Sequence, residues 1–395
     1  MKKLRVMIII FLMLILYSYV ANVTLIPKEI TLLKGESYKV RKMYGIEVLE
    51  TASTSNNSIN NRNMEISLLG INLKDININV IEDLKVVPVG KIIGLKLYTN
   101  GVLVVGMSEI EDINSKSQKP YENSNIKEGD TILKINEKNV DDIDNLKKLI
   151  NASNGENVSI TLVRDGTVFT SSITPIETKN NEYKLGLWVK DAATGVGTIT
   201  FYEKESKCFG ALGHGITDAD TDKLIDIDSG EVVTSKVLSI KKGEQGLPGE
   251  IKGTILNQQT IGSVYKNTQF GIYGTLNNLS SLNIDTSNAI SVAKRSEIEE
   301  GEAIILCSIE DNVTEEYKIN IEKIYLNNNS DNKSMLIRVK DERLLEKTGG
   351  IIRGLSGAPI IQNGKFIGAV TNVLVSNPEI GYGIFGDLMI KNMIY

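Results

Sequence analysis

The chain has 395 residues, with 49 acidic and 44 basic side chains, two cysteines and one histidine, for a formal net charge of -5. A mildly acidic balance with no concentrated basic face excludes a nucleic acid partner. The usual Cys/His zinc spacing is out of reach, so neither a metal nor a cofactor is expected. The length suits two or three domains, and 34 glycines against 7 prolines favour turn-rich β architecture over disorder.

The basic start Met1-Lys-Lys-Leu-Arg5 precedes an apolar run from Val6 to Val20. This pattern predicts a membrane segment over residues 1–24, with the amino terminus held in the cytoplasm and the remainder exported. The run is short for a full span unless Ala21 to Ile26 extend it, and no small-x-small cleavage site follows. A signal anchor is favoured over a cleaved signal peptide. Residues 25–86 read as a small β region, with alternating stretches at Ile30–Leu33 and Ile71–Val80 around an Asn/Ser-rich connector from Thr54 to Asn63.

Over residues 87–178 the order is more specific. Val89–Leu97 and Gly101–Val105 are followed by Ile126-Lys-Glu-Gly-Asp-Thr-Ile-Leu-Lys-Ile-Asn136. A helix follows, with Asp141 or Asp142 at its start, Ile143, Leu146, Leu149 and Ile150 inward, and Asn154-Gly155 ending it. Strands Val158–Arg164 and Thr167–Ile173 then close on the turn Asp165-Gly166. The segment resembles a PDZ domain. The resemblance implies a peptide-binding loop at Gly94, Leu95, Lys96 and Leu97, whose backbone N–H groups receive a carboxylate or an internal segment while the peptide adds to the sheet edge.

From residue 184 to 395 the chain is strand-rich and punctuated by glycine, which points to barrels or a sandwich. The only histidine, His214, lies between Gly213 and Gly215, and Gly354-Leu-Ser-Gly-Ala-Pro359 comes later. Histidine titrates near neutrality and can take the proton of a serine hydroxyl, which is otherwise a poor nucleophile. The second run resembles the Gly-x-Ser-Gly-x-Pro turn of chymotrypsin-like peptidases, with Ser356 as nucleophile and the amides of Gly354 and Ser356 as the oxyanion hole. For the acid, Asp341 precedes Ser356 by 15 residues, while Asp218, Asp220, Asp222, Asp226 and Asp228 follow His214 closely. The acidic run at 218–228 fails as a calcium loop, because Lys223 and Ser229 stand where a glycine and a bidentate glutamate are needed. Cys208 lacks oxyanion geometry, and Cys307 reads as strand core.

Gly186-Leu-Trp-Val-Lys-Asp, Phe209-Gly-Ala-Leu-Gly-His and the run Leu344 to Ile360 together resemble the stage IV sporulation protein B peptidases. The resemblance implies a mainly β fold with minor α: a membrane segment, a small β region, a PDZ domain and a chymotrypsin-like double β-barrel. It assigns Asp341 as the triad acid beside His214 and Ser356. It further implies a serine endopeptidase of endospore formation, exported from the forespore into the intermembrane space. Such an enzyme cleaves itself and a membrane-bound regulator, which triggers processing of the late mother-cell sigma factor. The rivals are a membrane-anchored PDZ scaffold without catalysis and an esterase using the same triad.

Overall fold

The computed structural model describes residues 7, 13, 17, 29–33, 46–52, 62–68, 71–81, 84–310, 313–326 and 331–394. The expected membrane segment, apart from three isolated positions, and residues 54–61 of the expected connector lie outside them. Among the described residues no helix is long and apolar enough to cross a membrane. Strands β1 (Glu29–Leu33), β2 (Ile46–Ala52), β3 (Arg62–Leu68) and β4 (Ile71–Ile81) form a separate sheet in the order β1-β4-β3-β2, with β1 parallel to β4.

Everything that follows is built on β5 (Lys85–Met107), a single 23-residue strand. Reading it as a strand, a binding loop and a second strand is corrected here. Gly94, Leu95, Lys96 and Leu97 pair on one side with Val196, Gly195, Thr194 and Ala193, and on the other with Val233, Val232, Glu231 and Gly230. Their backbone donors are committed to the sheet, and Leu95 and Leu97 are buried. Gly94 serves close packing, because a Cβ there would stand 2.8 Å from Val233 Cγ2 and 2.9 Å from Ile255 Cγ1.

The far end of β5 belongs to the PDZ unit. It carries the ribbon β6 (Ile110–Glu111) and β7 (Ser117–Gln118), then β8 (Thr131–Ile135), β9 (Lys138–Asn139), helix α1 (Ile143–Asn151), β10 (Val158–Arg164) and β11 (Thr167–Ile173). Asp142 caps α1 by accepting from Asn145 N–H at 2.6 Å, and Leu146 and Ile150 are its buried face. The β10–β11 hairpin turns on Asp165 and Gly166, both at positive φ, as a type I′ turn requires. Beneath the sheet, Val102, Val104, Ile132, Leu146, Ile160 and Leu162 form a core. A short ribbon, β12 (Ile176–Glu177) with β13 (Tyr183–Lys184), leads into β14 (Leu187–Tyr202).

β14 pairs with β5 along its whole length, so both strands run out of the PDZ unit into a barrel. The barrel adds β15 (Cys208–Ala211), β16 (Ile227–Lys241), β17 (Glu250–Thr268) and β18 (Gly271–Leu276), and closes where β16 pairs back with β5. The short β19 (Ile290–Ser291) also pairs with β5. The start of β5, inside the segment expected as 87–178, therefore also supplies a barrel strand beside the segment expected as 184–395.

The second barrel is closed by β20 (Gly301–Glu310), β21 (Val313–Ile324), β22 (Met335–Val339), β25 (Ile380–Phe385), β24 (Lys365–Val373) and β23 (Pro359–Gln362) in that order. Its core holds Tyr317, Phe366 and Phe385, with Cys307 buried among them on β20. Helix α2 (Glu342–Thr348) precedes the serine turn, and α3 (Gly386–Ile394) ends the barrel. Tyr265 Oη and Lys266 Nζ of the first barrel donate to the α3 carbonyls of Met393 and Asn392 at 3.2 and 3.0 Å, which ties the barrels together. Both cysteines are free.

Candidate active site

His214 and Ser356 line one cleft of about 980 Å³ between the barrels. His214 follows β15 through a tight path, in which Leu212 and Gly213 both take positive φ. Gly213 allows close packing, since a Cβ would stand 3.0 Å from Ile384 Cγ2 and Thr371 Cγ2 of the opposite barrel. The serine turn presses on the same stretch of backbone. A Cβ on Gly357 would come within 2.6 Å of Leu212 N, and Thr198 Oγ1 of β14 donates to the Gly354 carbonyl at 2.7 Å. Two barrels are thereby pinned together within a few residues of the reacting groups.

Half-buried His214 donates from Nδ1 to the Gly215 carbonyl at 2.8 Å. A carbonyl can only accept, so Nδ1 carries the proton and Nε2 of the neutral ring is bare, the tautomer a general base needs. Burial pushes the imidazole below its ordinary value, and the Gly215 hydrogen bond opposes that shift. The ring is therefore neutral at pH 7. Ser356 Oγ donates to the Thr371 carbonyl at 2.6 Å, so the hydroxyl must rotate to hand its proton to His214. Gly354 sits at φ 101°, which a side chain rarely tolerates. Within the turn, Leu355 N–H donates to Ile352 and Gly357 N–H to Val370. No described acceptor is paired with the amides of Gly354 or Ser356, which leaves both for an oxyanion.

Asp341 makes its hydrogen bonds to Arg343 and Lys318, and none joins it to His214 among the described residues. It is the N-cap of α2, accepting from Arg343 N–H and Nε at 3.1 and 3.0 Å and from Lys318 N–H at 3.2 Å. The Arg343 guanidinium holds its carboxyl below the usual range, with burial opposing. The aspartates after His214 do not touch the ring either. Asp218 is buried inside its own loop, accepting from Asp220 and Thr221 amides and pairing with Lys190 at 3.1 Å, while Asp222 lines the cleft wall.

A second groove of about 980 Å³ lies between α1 and the start of β14, lined by Ile143, Leu146, Ile150 and by Gly186, Leu187, Trp188 and Val189. Here β14 pairs with β5 on one side only, leaving the other edge open to a peptide strand. Asp191 caps this end of α1 through Ile143 N–H at 2.9 Å, and Asn151 accepts from Tyr183 N–H at 2.8 Å, so the helix is fixed to the edge at both ends. The expected loop at Gly94, Leu95, Lys96 and Leu97 does not line this groove. Leu185-Gly-Leu-Trp188 lines it instead, with Gly186 at φ 73° directly before β14.

The SpoIVB peptidase S55 model matches residues 181–390, more than half of the chain. The chain belongs to this family. It is a serine peptidase, and a PDZ-domain model matches residues 68–174. No curated protein matches it. Solved structures similar to it include the Rv3671c protease in an inactive form, at 12% identity and a TM-score of 0.30, covering 50% of this chain and 83% of that one. A mutant of Rv3671c from M. tuberculosis H37Rv, also inactive, gives 11% identity and a TM-score of 0.28, covering 50% and 80%.

Proposed function

We propose that this serine peptidase cleaves internal peptide bonds by two-step acyl transfer. Ser356 Oγ attacks the carbonyl, while His214 Nε2 takes the hydroxyl proton and returns it to the leaving amine. The Gly354 and Ser356 amides hold the oxyanion, and water, deprotonated by the same ring, then releases the acyl group. The observation that carries this reading is the meeting of a correctly protonated His214, Ser356 and two uncommitted amides in one cleft. An extended segment of the substrate docks on the open edge of β14, which gives the PDZ unit its role.

Membership of the S55 family supports a place in endospore formation, with the peptidase itself and a membrane-bound regulator as substrates, ahead of late sigma-factor processing. The basic-then-apolar start supports a membrane-anchored route out of the forespore. Purified wild-type protein should be labelled at Ser356 by a fluorophosphonate and should cleave a peptide substrate. Ser356→Ala should do neither, and a variant that still cleaved at the wild-type rate would remove the serine from the mechanism. Amino termini mapped in sporulating cells should be shortened with wild-type protein and intact with Ser356→Ala.

A further inference from the structure

We propose that Ile351 closes the subsite for the residue just before the scissile bond, so that this peptidase cuts after short uncharged residues such as alanine, serine, threonine or valine. The subsite is a gap between two segments of the second barrel. One is Ile351-Ile352-Arg353, which leads into the serine turn; the other is Thr371-Asn372-Val373 at the end of β24, and both line the catalytic cleft. Ser356 Oγ donates to the Thr371 carbonyl at 2.6 Å and Gly357 N–H to the Val370 carbonyl at 2.7 Å, so the end of β24 runs alongside the nucleophile. An acyl carbonyl seated on the Gly354 and Ser356 amides carries its own side chain one bond away, into this gap.

The two isoleucines point apart. Ile352 turns toward the 243–249 loop, where a Cβ on Gly249 would stand 2.5 Å from Ile352 Cγ2. Ile351 turns toward β25, where a Cβ on Gly381 would stand 3.0 Å from Ile351 Cγ1 and 2.8 Å from the Asn372 carbonyl. The missing side chain of Gly381 is thus what makes room for Ile351. β24 and β25 change register between Val370 and Val373, which sets Val373 opposite Gly381 and leaves Thr371 and Asn372 at the irregularity beside the serine. Ile351 is only 2% exposed, and its N–H is tied to the Pro378 carbonyl at 2.7 Å, so it has no freedom to swing aside for a long side chain. Half-buried Val373 adds a second apolar wall. Ile351 and Val373 bring only hydrocarbon to the gap, so a charged side chain entering it would lose its water without gaining a partner. Of the charged residues along the cleft, Asp331 and Lys333 pair with each other at 4.0 Å and Arg353 is exposed.

With Ser356 as the nucleophile, on which this reading rests, the full chain is compared as wild type, Ile351→Val and Ile351→Ala. The substrates are one peptide series differing only in the residue before the cut: alanine, valine, leucine, phenylalanine or lysine. Fluorophosphonate labelling of Ser356 counts the working sites, and the readout is the ratio of kcat/KM values within each protein, which cancels any general loss of active enzyme. One methylene in an apolar pocket is worth about 10- to 200-fold, so wild type should cleave after alanine or valine at least about 10-fold better than after leucine, and about 100-fold better than after phenylalanine or lysine. Ile351→Ala should bring leucine within a few-fold of valine. Ile351→Val, which removes a single methylene from the wall, should move the same ratio part of the way, and it decides the matter if Ile351→Ala gives no labelled protein. Wild type that cleaved after leucine or phenylalanine as fast as after alanine would overturn the proposal, as would an unchanged profile in the labelled variants. A labelled wild type with the wrong profile removes this subsite alone, whereas a wild type not labelled at Ser356 removes the nucleophile and the subsite together.

Discussion

Asp341→Asn separates two roles of one carboxylate. As a triad acid, Asp341 would orient His214, and asparagine would favour the wrong tautomer at a cost of about 10⁴ in kcat. As a helix cap it accepts from Arg343 N–H at 3.1 Å, and asparagine caps a helix as well as aspartate does. The geometry therefore predicts kcat within a few-fold of wild type and only a small stability change. Asp341→Ala removes the cap and should cost about 0.5–2 kcal/mol in unfolding free energy, again with little effect on kcat at temperatures where the protein remains folded. The stability difference also has a sign in pH. The Asp341 pKa is depressed by Arg343, so its contribution is present above the unfolded value near 3.9 and fades as pH falls through the folded value. Urea denaturation at pH 7 and pH 3, with fluorophosphonate labelling of Ser356 on the same samples, measures both quantities. A loss of more than about 10³ in labelling for Asp341→Asn, at unchanged stability, would return the carboxylate to the triad.

Three other outcomes follow from the site. Gly354→Ala should lower kcat by about 10²–10³, the effect of losing one oxyanion donor, because φ 101° and an Ile251 Cβ at 2.9 Å force the turn to move; steady-state kinetics will show whether KM stays nearly fixed. The acid limb of kcat/KM should fall below pH 6.5, since burial lowers the His214 pKa, and a pH–rate profile on the purified protein checks it. The same shift means that His214 contributes its full stability above about pH 6.5 and loses it as pH falls toward the folded value. Ile143→Glu, on the α1 wall of the PDZ groove, should abolish binding of an extended peptide by fluorescence polarisation while leaving Ser356 labelling unchanged.

The hairpin strands were legible because local chemistry dictates them, and His214 and Ser356 share one cleft. Val158–Arg164, Thr167–Ile173 and the Asp165-Gly166 turn fall where alternation and turn preference put them. Gly354-Leu-Ser-Gly-Ala-Pro359 announces a turn with two exposed amides. The harder readings lie where one local pattern serves two global purposes. Gly94 resembles a loop glycine in sequence, yet it is a packing glycine under Val233 and Ile255, residues more than a hundred positions away. Asp341 has the spacing of a catalytic acid and the position of an N-cap, and only the folded chain decides between them.

β14 joins both sites on one element. Its Leu187–Val189 edge faces α1, while Gly195, Val196 and Gly197 line the catalytic cleft. From Val189 to Val196 is seven residues of strand, interrupted by one register shift against β5 between Lys190 and Ala192, or about 23 Å at roughly 3.3 Å per residue. Pairing with β5 before and after that shift keeps both sites on one strand. A substrate held in the groove therefore meets the cleft across a nearly fixed gap, so linker length within the substrate sets its effective concentration at Ser356. A spacer too short to cross about 23 Å gains nothing, and a much longer one loses the advantage gradually. Selection of a cleavage site would then combine the residues at the bond with their distance from the docking segment. A series of otherwise identical substrates with increasing spacer length should accordingly show an optimum in kcat/KM, and Ile143→Glu should flatten that optimum while sparing cleavage of a short peptide confined to the cleft.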